Sequence, residues 1–512
     1  MKKYLFLFTF LLSFCFANEF KVTSYNVQNL FDLKYDKTEY KQYIPNTKSN
    51  WNKNTYNTKI KNLAKVLKDL DANIIALQEI ESIQVLKDLK KQLPRYRYTS
   101  LLKYKNGAVG LGFLSDIKIL HNKKISVKFN NKIFRPIMET TFYYENIKFK
   151  IFNNHWPSKK AQESYRIKYA YTLLNRIKEL PKDYDYIILG DLNSNYDEKQ
   201  TLYLNKNLDD SLNITGINDI LNTIKEDNTF INKTSTKTEE KRVHYNLWLE
   251  LAYQERFSYK YRGRNTTPDN ILLPYSLFDG KKISYINGSF KVFKPNYLYK
   301  NKQINNWKVK RGVHQNKGYS DHLPIIASFN VNAYKTEAQN VTSIKDLYKV
   351  NNINKPLIIK DAVVIYKNGK SAIIKQKNNR AIFVYNAKNL KEFYNYDLKI
   401  FSIESFHGLK EIKSLAIINE KNKLDNIDEY YLNNTKNLTN IKFQNEIIKG
   451  LKVTYKKRYA YFNKNKISIY FKNKELIPKD NTKLLLKKAH IGYFRQKPQL
   501  VIYKKSDFEI LN

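Results

Sequence analysis

The stretch Tyr186-Ile187-Ile188-Leu189-Gly190-Asp191-Leu192-Asn193-Ser194 decides how the chain is read. A short apolar run that stops at a glycine is the pattern of a buried strand, and a carboxylate and a carboxamide follow two residues apart. A rigid strand end holds polar groups well enough for chemistry, and the glycine lets another backbone or a ligand come close. Taken alone, the run specifies no more than a strand meeting a turn, because Gly-Asp is ordinary turn chemistry.

Working outward, the same arrangement recurs. Phe20 to Val27 reads as a strand with Asn26 near its end, and Asn73-Ile74-Ile75-Ala76-Leu77-Gln78-Glu79 as another ending in a carboxylate. Ile147 to Asn153 runs into Asn154-His155-Trp156-Pro157-Ser158. Thr267-Pro268-Asp269-Asn270 precedes Ile271-Leu272-Leu273, and Ser320-Asp321-His322-Leu323-Pro324 precedes a further apolar strand. Between these, Tyr56 to Leu70 has apolar residues at helical spacing, and a second helix is predicted over 161–178. Each polar residue could be a cap or a solvated turn. Repetition of one pattern, buried strand then Asn, Glu, His or Asp, points to a single site.

With 512 residues, and roughly 150 per domain, about three domains are expected. Hydrophobic residues at 42% and aromatics at 14% supply packed cores, which excludes a disordered chain. Lys2 and Lys3 precede an apolar run to Phe16 and then Ala17, the pattern of a secretory signal peptide over 1–17; the run is shorter than the ~20 residues that span a bilayer. Export to the periplasm or the cell exterior is therefore expected, without stable membrane insertion. Cys15 is the sole cysteine and would leave with the signal, so disulfides and thiolate metal sites are excluded from the mature protein. The formal net charge is +44, or +42 without Lys2 and Lys3. A field of that sign attracts polyanions, although the charge is spread along a chain rich in Lys, Asn, Ile and Tyr rather than clustered.

Past residue 331 the pattern changes. Residues 333–342 are polar and read as a linker. The runs opening at Pro356 and at Asn445 then share a layout, with Ile358-Ile359-Lys360-Asp361 answered by Ile447-Ile448-Lys449-Gly450. A diverged duplication of a small β unit of roughly 80–90 residues is expected, two Greek-key barrels of OB-like type over 343–426 and 427–512. Tyr455, Tyr459, Tyr461 and Phe462 beside Lys456, Lys457 and Arg458 would suit a single-stranded nucleic acid, the alternative being a strand whose aromatics are core.

The polar set matches the demands of phosphodiester hydrolysis, which needs a hard cation on the phosphate, a base for water and donors where charge develops. Glu79 and Asp321 supply carboxylates for Mg2+ or Mn2+, with Ca2+ a further candidate, and Asn26 stands beside them. His322 follows Asp321 directly, and Asp269 is the candidate partner that fixes its tautomer. His155 can donate to a nonbridging oxygen, while Asp191 and Asn193 can orient the water; Lys159 and Arg166 are expected to contact the substrate.

Together the motifs Tyr25-Asn26-Val27-Gln28-Asn29-Leu30, Leu77-Gln78-Glu79, Asn154-His155-Trp156, Gly190-Asp191-Leu192-Asn193, Asp269-Asn270-Ile271-Leu272 and Ser320-Asp321-His322-Leu323-Pro324 resemble the endonuclease/exonuclease/phosphatase superfamily, the DNase I-like fold, over about residues 20–330. The resemblance implies a four-layer α/β sandwich over 18–332 followed by the two all-β barrels. It places Asn26, Glu79 and Asp321 around the metal and pairs Asp269 with His322. It leaves open whether His322 or Asp191 takes the water's proton. Asn270 departs from the histidine or glutamine common in relatives. The expected function is an exported metal-dependent nuclease acting on nucleic acid, DNA first. The alternatives are a phospholipid or inositol-phosphate phosphoesterase of the same fold and a noncatalytic nucleic-acid-binding surface protein.

Overall fold

The computed structural model describes residues 19–129, 132–233, 235–238, 241–331, 340–353, 356–433 and 438–511. The signal peptide expected over 1–17 lies outside them, as does most of the expected linker. Residues 19–248 and 256–331 form one compact unit; 249–255 and 340–511 form a second.

The first unit is a mixed α/β sandwich. Strands β1 (Phe20–Leu30), β2 (Ile74–Ile80), β3 (Tyr98–Leu102) and β4 (Gly110–Ser115) build one sheet with the late strand Ile325–Val331, in the order Ile283–Tyr285, Ile325–Val331, β1, β2, β4, β3. Strands β5 (Lys118–Phe129), β6 (Lys132–Tyr144), β7 (Ile147–His155) and β8 (Tyr186–Asp191) build the other, which continues through Asp269–Leu273 to Tyr245–Asn246. In each sheet one central pair is parallel, β1 with β2 and β7 with β8. Strands in such pairs are buried on both faces, which explains their near-continuous apolar runs.

Why the sheets face each other is visible in the side chains. Phe20 packs tilted against Phe149 with ring centroids 5.4 Å apart, and Phe113 meets Phe142 edge-on at 5.4 Å. One polar bridge crosses the interface: Gln78 Nε2 donates to Asn153 Oδ1 at 2.8 Å, while Asn153 Nδ2 donates to the carbonyls of Leu77 and Gly112. All of its groups are partnered, so it fixes the relative register of the sheets without a desolvation penalty.

Helices cover the outer faces. Helix α1 (Lys53–Leu70) begins earlier than the periodicity predicts, because the Asn52 side chain accepts from the amides of Asn54 and Thr55; it ends at Asp71 in the left-handed conformation. Helix α2 (Ile83–Lys91) is capped by Ser82. Helix α3 (Glu163–Lys178) starts two residues later than expected and packs Tyr169, Ala170, Leu173, Leu174 and Ile177 against Phe152, Tyr186 and Ile188. Full burial of an Ile or Leu contributes roughly 1.5–3 kcal/mol each. The run Ile187-Ile188-Leu189 thereby anchors its strand end.

The second unit is strand-rich. Leu357–Asn368, Ser371–Lys375, Ala381–Val384, Tyr394–Phe406 and Leu409–Lys423 pair in the order first, second, third, fifth, fourth, and the fourth returns to the first, closing a small barrel. The order repeats in Leu451–Lys456, Tyr459–Phe462, Asn465–Phe471, a fourth strand interrupted between Thr482–Leu486 and Ala489–Phe494, and Lys497–Ile502. Corresponding residues share a bend: Asp361 has φ +56° and Gly450 φ +75°, each just after the Ile-Ile-Lys triplet. The expected linker does not run to 342, because Val341–Thr342 pairs in parallel with Ile358–Ile359. Of the proposed aromatic platform, Tyr455 and Phe462 are core and only Tyr459 and Tyr461 are exposed, since successive side chains on a strand alternate faces.

Candidate active site

The polar strand ends converge at one end of the two sheets. Asp191 is the register partner of His155 on β7 and of Asp269 on the other side, so three site residues stand in a row across neighbouring strands. Gly190 makes this possible: its φ is +127°, and a Cβ there would meet the Asn154 carbonyl oxygen at 2.1 Å. From the facing sheet, β1 and β2 lose register after Asn26 and Gln78, with Gln28, Asn29 and Glu79 all at positive φ. Such bulges re-aim side chains beside active sites, and here the irregularity turns Glu79 into the site. Lys59, buried on α1, donates to the carbonyls of Gln28 and Asn29 and so braces the bulge; burial lowers its pKa to about 7 against the opposing pull of Glu79 and Asp321.

Asn26 joins the two halves. Its Nδ2 donates to Glu79 Oε1 at 3.1 Å and to Asp191 Oδ2 at 3.0 Å, while its Oδ1 accepts from the Gln28 amide. Asn26, expected beside the metal, lies between the two carboxylates and orients both through its nitrogen. Glu79 Oε2 accepts from the Asn29 amide at 2.7 Å. Asp321 is held by the loop in which Ser320 Oγ donates to the Asn26 carbonyl at 2.6 Å. Burial raises the Asp321 pKa, and the Glu79 carboxylate raises it further. Two hard oxygen donors that repel each other are a donor set suited to a magnesium or manganese ion, whose charge would relieve that repulsion.

His322 Nδ1 donates to Asp269 Oδ2 at 2.7 Å, and Ser258 Oγ donates to the same oxygen at 2.5 Å. The Tyr259 ring lies 4.8 Å from the imidazole. His322 Nε2 is left facing Asp191 Oδ2 at 3.9 Å. Burial works against a charged His322, but the Asp269 carboxylate with Asp191 and Asp321 overrides it and holds the pKa well above the usual histidine value. His155 is the opposite case, pushed well below by burial and by the charges of Arg135 and His322. Arg135 Nη1 meets His155 Nδ1. A guanidinium can only donate, so Nδ1 accepts and the proton sits on Nε2, which is 3.6 Å from Asp191 Oδ2 and 3.7 Å from Glu79 Oε1. Asp191 is raised by burial and by the Asp269 charge, while His322 pulls it down.

Asn193 stands beside Asp191: its amide donates to Asp191 Oδ1 at 2.9 Å and its Nδ2 is tied to the Trp156 carbonyl at 3.0 Å. The two basic residues expected at the substrate are occupied elsewhere. Arg166 is fully buried, paired with Glu163 at 2.7 Å and donating to the carbonyls of Pro157, Ser158 and Ala161, so it braces the loop after His155. Lys159 is bound to both carboxylate oxygens of Glu198. Asn270 is buried, with Nδ2 donating to the carbonyls of Ser194, Thr267 and Pro268, so it ties the Asp191 and Asp269 loops together. Arg135, Lys59 and Ser258 were not singled out in the sequence; no local pattern marks them, because their partners are far along the chain.

The model of the Endonuclease/Exonuclease/phosphatase family matches residues 21–230. No curated protein matches the chain. Among solved structures, humanized D. rerio TDP2 carrying 14 mutations is 16% identical, with 61% of this chain and 99% of that chain covered and a TM-score of 0.39. D. rerio TDP2 complexed with single strand DNA product is also 16% identical, with the same coverage and a TM-score of 0.37. The human Nocturnin catalytic domain with bound sulfate is 13% identical, covering 61% of this chain and 94% of that one at a TM-score of 0.37. The matched span holds Asn26, Glu79, His155, Asp191 and Asn193, and the fold brings Asp269, Asp321 and His322 to them. Residues 21–230 thus match the model of the endonuclease/exonuclease/phosphatase family, whose members are generally hydrolases of phosphoester bonds.

Proposed function

We propose that the protein is an exported, divalent-metal-dependent phosphodiesterase whose substrate is nucleic acid, DNA foremost. The observation that carries this reading is the Asp269–His322–Asp191 array set opposite Glu79 and Asp321. Glu79 and Asp321 would hold a magnesium or manganese ion, which supplies charge neutralisation on the phosphate when bound. The protein's own groups do the rest. Asp191, its Oδ1 fixed by the Asn193 amide and its Oδ2 by Asn26, takes the proton of the attacking water. His322, kept protonated by Asp269, donates from Nε2 as charge collects on the reacting oxygens. His155 donates its Nε2 proton to a nonbridging oxygen while Arg135 keeps its tautomer fixed.

A charge of +42 on the mature chain favours a polyanion, and the barrels supply a second argument. Their strand order, with the fourth strand returning to the first, supports reading them as OB-like barrels. On the second barrel Tyr459 and Tyr461 are each 40% exposed on one face, with Lys466 Nζ 5.4 Å from the Tyr459 ring. Stacking rings beside cations suit unpaired bases. Export rests on the signal pattern at 1–17; among the described residues no helix is long and apolar enough to cross a membrane.

One observation favours a phospholipid as the second reading: Leu204 and Leu212, in the region after β8, are 70% and 94% exposed. Plasmid DNA, RNA, sphingomyelin vesicles and inositol phosphates, each incubated with residues 18–512 and Mg2+, separate the readings. DNA turnover above the other substrates is expected. Turnover of lipid alone would replace the nuclease reading.

A further inference from the structure

Just past Glu79, the chain places a second set of acidic groups. Glu81 is 2% exposed. Its Oε2 accepts from the Asp32 amide at 2.6 Å, but its Oε1 is buried with no hydrogen-bond partner. Glu39 repeats the arrangement: Oε1 accepts from the Asp36 amide at 2.6 Å, and Oε2 is buried without a partner. Asp36 Oδ1 accepts from the amide and hydroxyl of Thr38. One ligand oxygen of each of Asp36, Glu39 and Glu81 lies within 4.8 Å of the other two. The cation beside them is Lys103, whose Nζ is 3.6 Å from Asp36 Oδ2 and donates to Thr38 Oγ1 at 3.3 Å.

Among the described residues, three acidic groups thus face one lysine. Two of the cluster's oxygens are shut away from water with nothing to bond, an arrangement that native folds rarely tolerate without a ligand. Each glutamate has one oxygen fixed by a backbone amide, which aims the other inward as a preset donor. The set contains oxygen alone, which excludes soft-metal chemistry.

We propose that Asp36, Glu39 and Glu81 form a second cation site, structural rather than catalytic, for a hard divalent ion. Calcium fits best, since it accepts irregular sets of six to eight oxygens that include backbone carbonyls and water, whereas magnesium demands a near-ideal octahedron. The ion would tie the loop over residues 31–40 to the end of β2. That loop carries Phe31, which stacks on Tyr43 at 4.6 Å and meets Tyr40 edge-on at 5.5 Å. Through β2 the site would steady the bulge that presents Glu79.

The test is a calorimetric titration with CaCl2 and a thermal melt, neither of which reads catalysis. It uses the full mature chain carrying Glu79→Gln and Asp321→Asn, so that the proposed catalytic pair contributes no binding. Uptake of one Ca2+ per chain with a rise in Tm is expected. Adding Glu81→Gln should abolish both. Adding Glu39→Gln, at a less buried carboxylate, should weaken binding by tenfold or more and decides the matter if the Glu81 variant does not fold. MgCl2 should bind more weakly than CaCl2. Absence of Ca2+ uptake by the Glu79→Gln/Asp321→Asn chain, or undiminished uptake after Glu39→Gln in a folded protein, would overturn the proposal.

Discussion

A Cβ atom at Gly190 would stand 2.1 Å from the carbonyl oxygen of Asn154, on a backbone with φ +127° that L side chains rarely adopt. The contact sets the spacing of β7 and β8 where His155 and Asp191 emerge as register partners. Gly190→Ala should therefore destabilise the protein by about 2–6 kcal/mol, combining overpacking with backbone strain. Urea unfolding monitored by circular dichroism measures it, and an unchanged midpoint would remove Gly190 from this role.

Asp269 and His322 act as one unit, so their variants should not add. His322→Ala and Asp269→Asn should each lower the rate by about 10²–10⁴-fold, and the double variant should fall little below the worse single one. Additive losses in kcat would mean that the two residues serve separate steps.

The pH profile follows from opposed shifts. Burial and the Asp269 charge raise Asp191, so it is free to accept a proton only above the ordinary carboxylate range. His322, held high by Asp269 against its burial, loses its proton only in alkaline solution. The rate should climb as pH rises through the Asp191 value and fall as pH passes the His322 value. Asp269→Asn should draw the falling limb toward neutral pH. A rising limb at the ordinary carboxylate pKa, or a falling limb unmoved in Asp269→Asn, would contradict these assignments.

Arg166 tests burial against expectation. Arg166→Met leaves Glu163 without its partner in the interior, at a cost of about 3–5 kcal/mol, with little change in KM for short substrates in the folded protein. Raised KM at unchanged stability would restore Arg166 as a substrate contact.

What the sequence made legible has a common cause. A strand buried on both faces must be apolar throughout, so Ile187-Ile188-Leu189 and Ile74-Ile75-Ala76-Leu77 announce themselves, and the polar residue that ends each run stands out. The barrel repeat was legible because Asp361 and Gly450 answer the same need for a left-handed bend after Ile-Ile-Lys. Function of charged residues was less legible, since charge reads as surface until partners are known. Arg166 disappears into the fold because Glu163 and three carbonyls surround it, and the three-residue spacing to Glu163 on one helix was the available signal. Asn26 shows a further limit: a sequence gives the amide, but not whether its oxygen or its nitrogen faces the site. The Asp36, Glu39 and Glu81 group joins residues whose proximity depends on β1 and β2 lying side by side.

The barrel face makes a separate prediction. Tyr459→Ala and Tyr461→Ala should each weaken binding to single-stranded DNA by about 1–3 kcal/mol, provided a base stacks on each ring. Cleavage of short substrates should be spared. Fluorescence anisotropy with a labelled oligonucleotide measures it, and equal affinity in both variants would assign that face to something else.

The most direct measurement is conversion of supercoiled plasmid DNA by residues 18–512, with Mg2+ or with a chelator, beside His322→Ala. The account predicts cleavage with Mg2+, loss of cleavage in chelator, and a loss of about 10²-fold or more in His322→Ala with Mg2+ present. Equal cleavage by both proteins in chelator would contradict it.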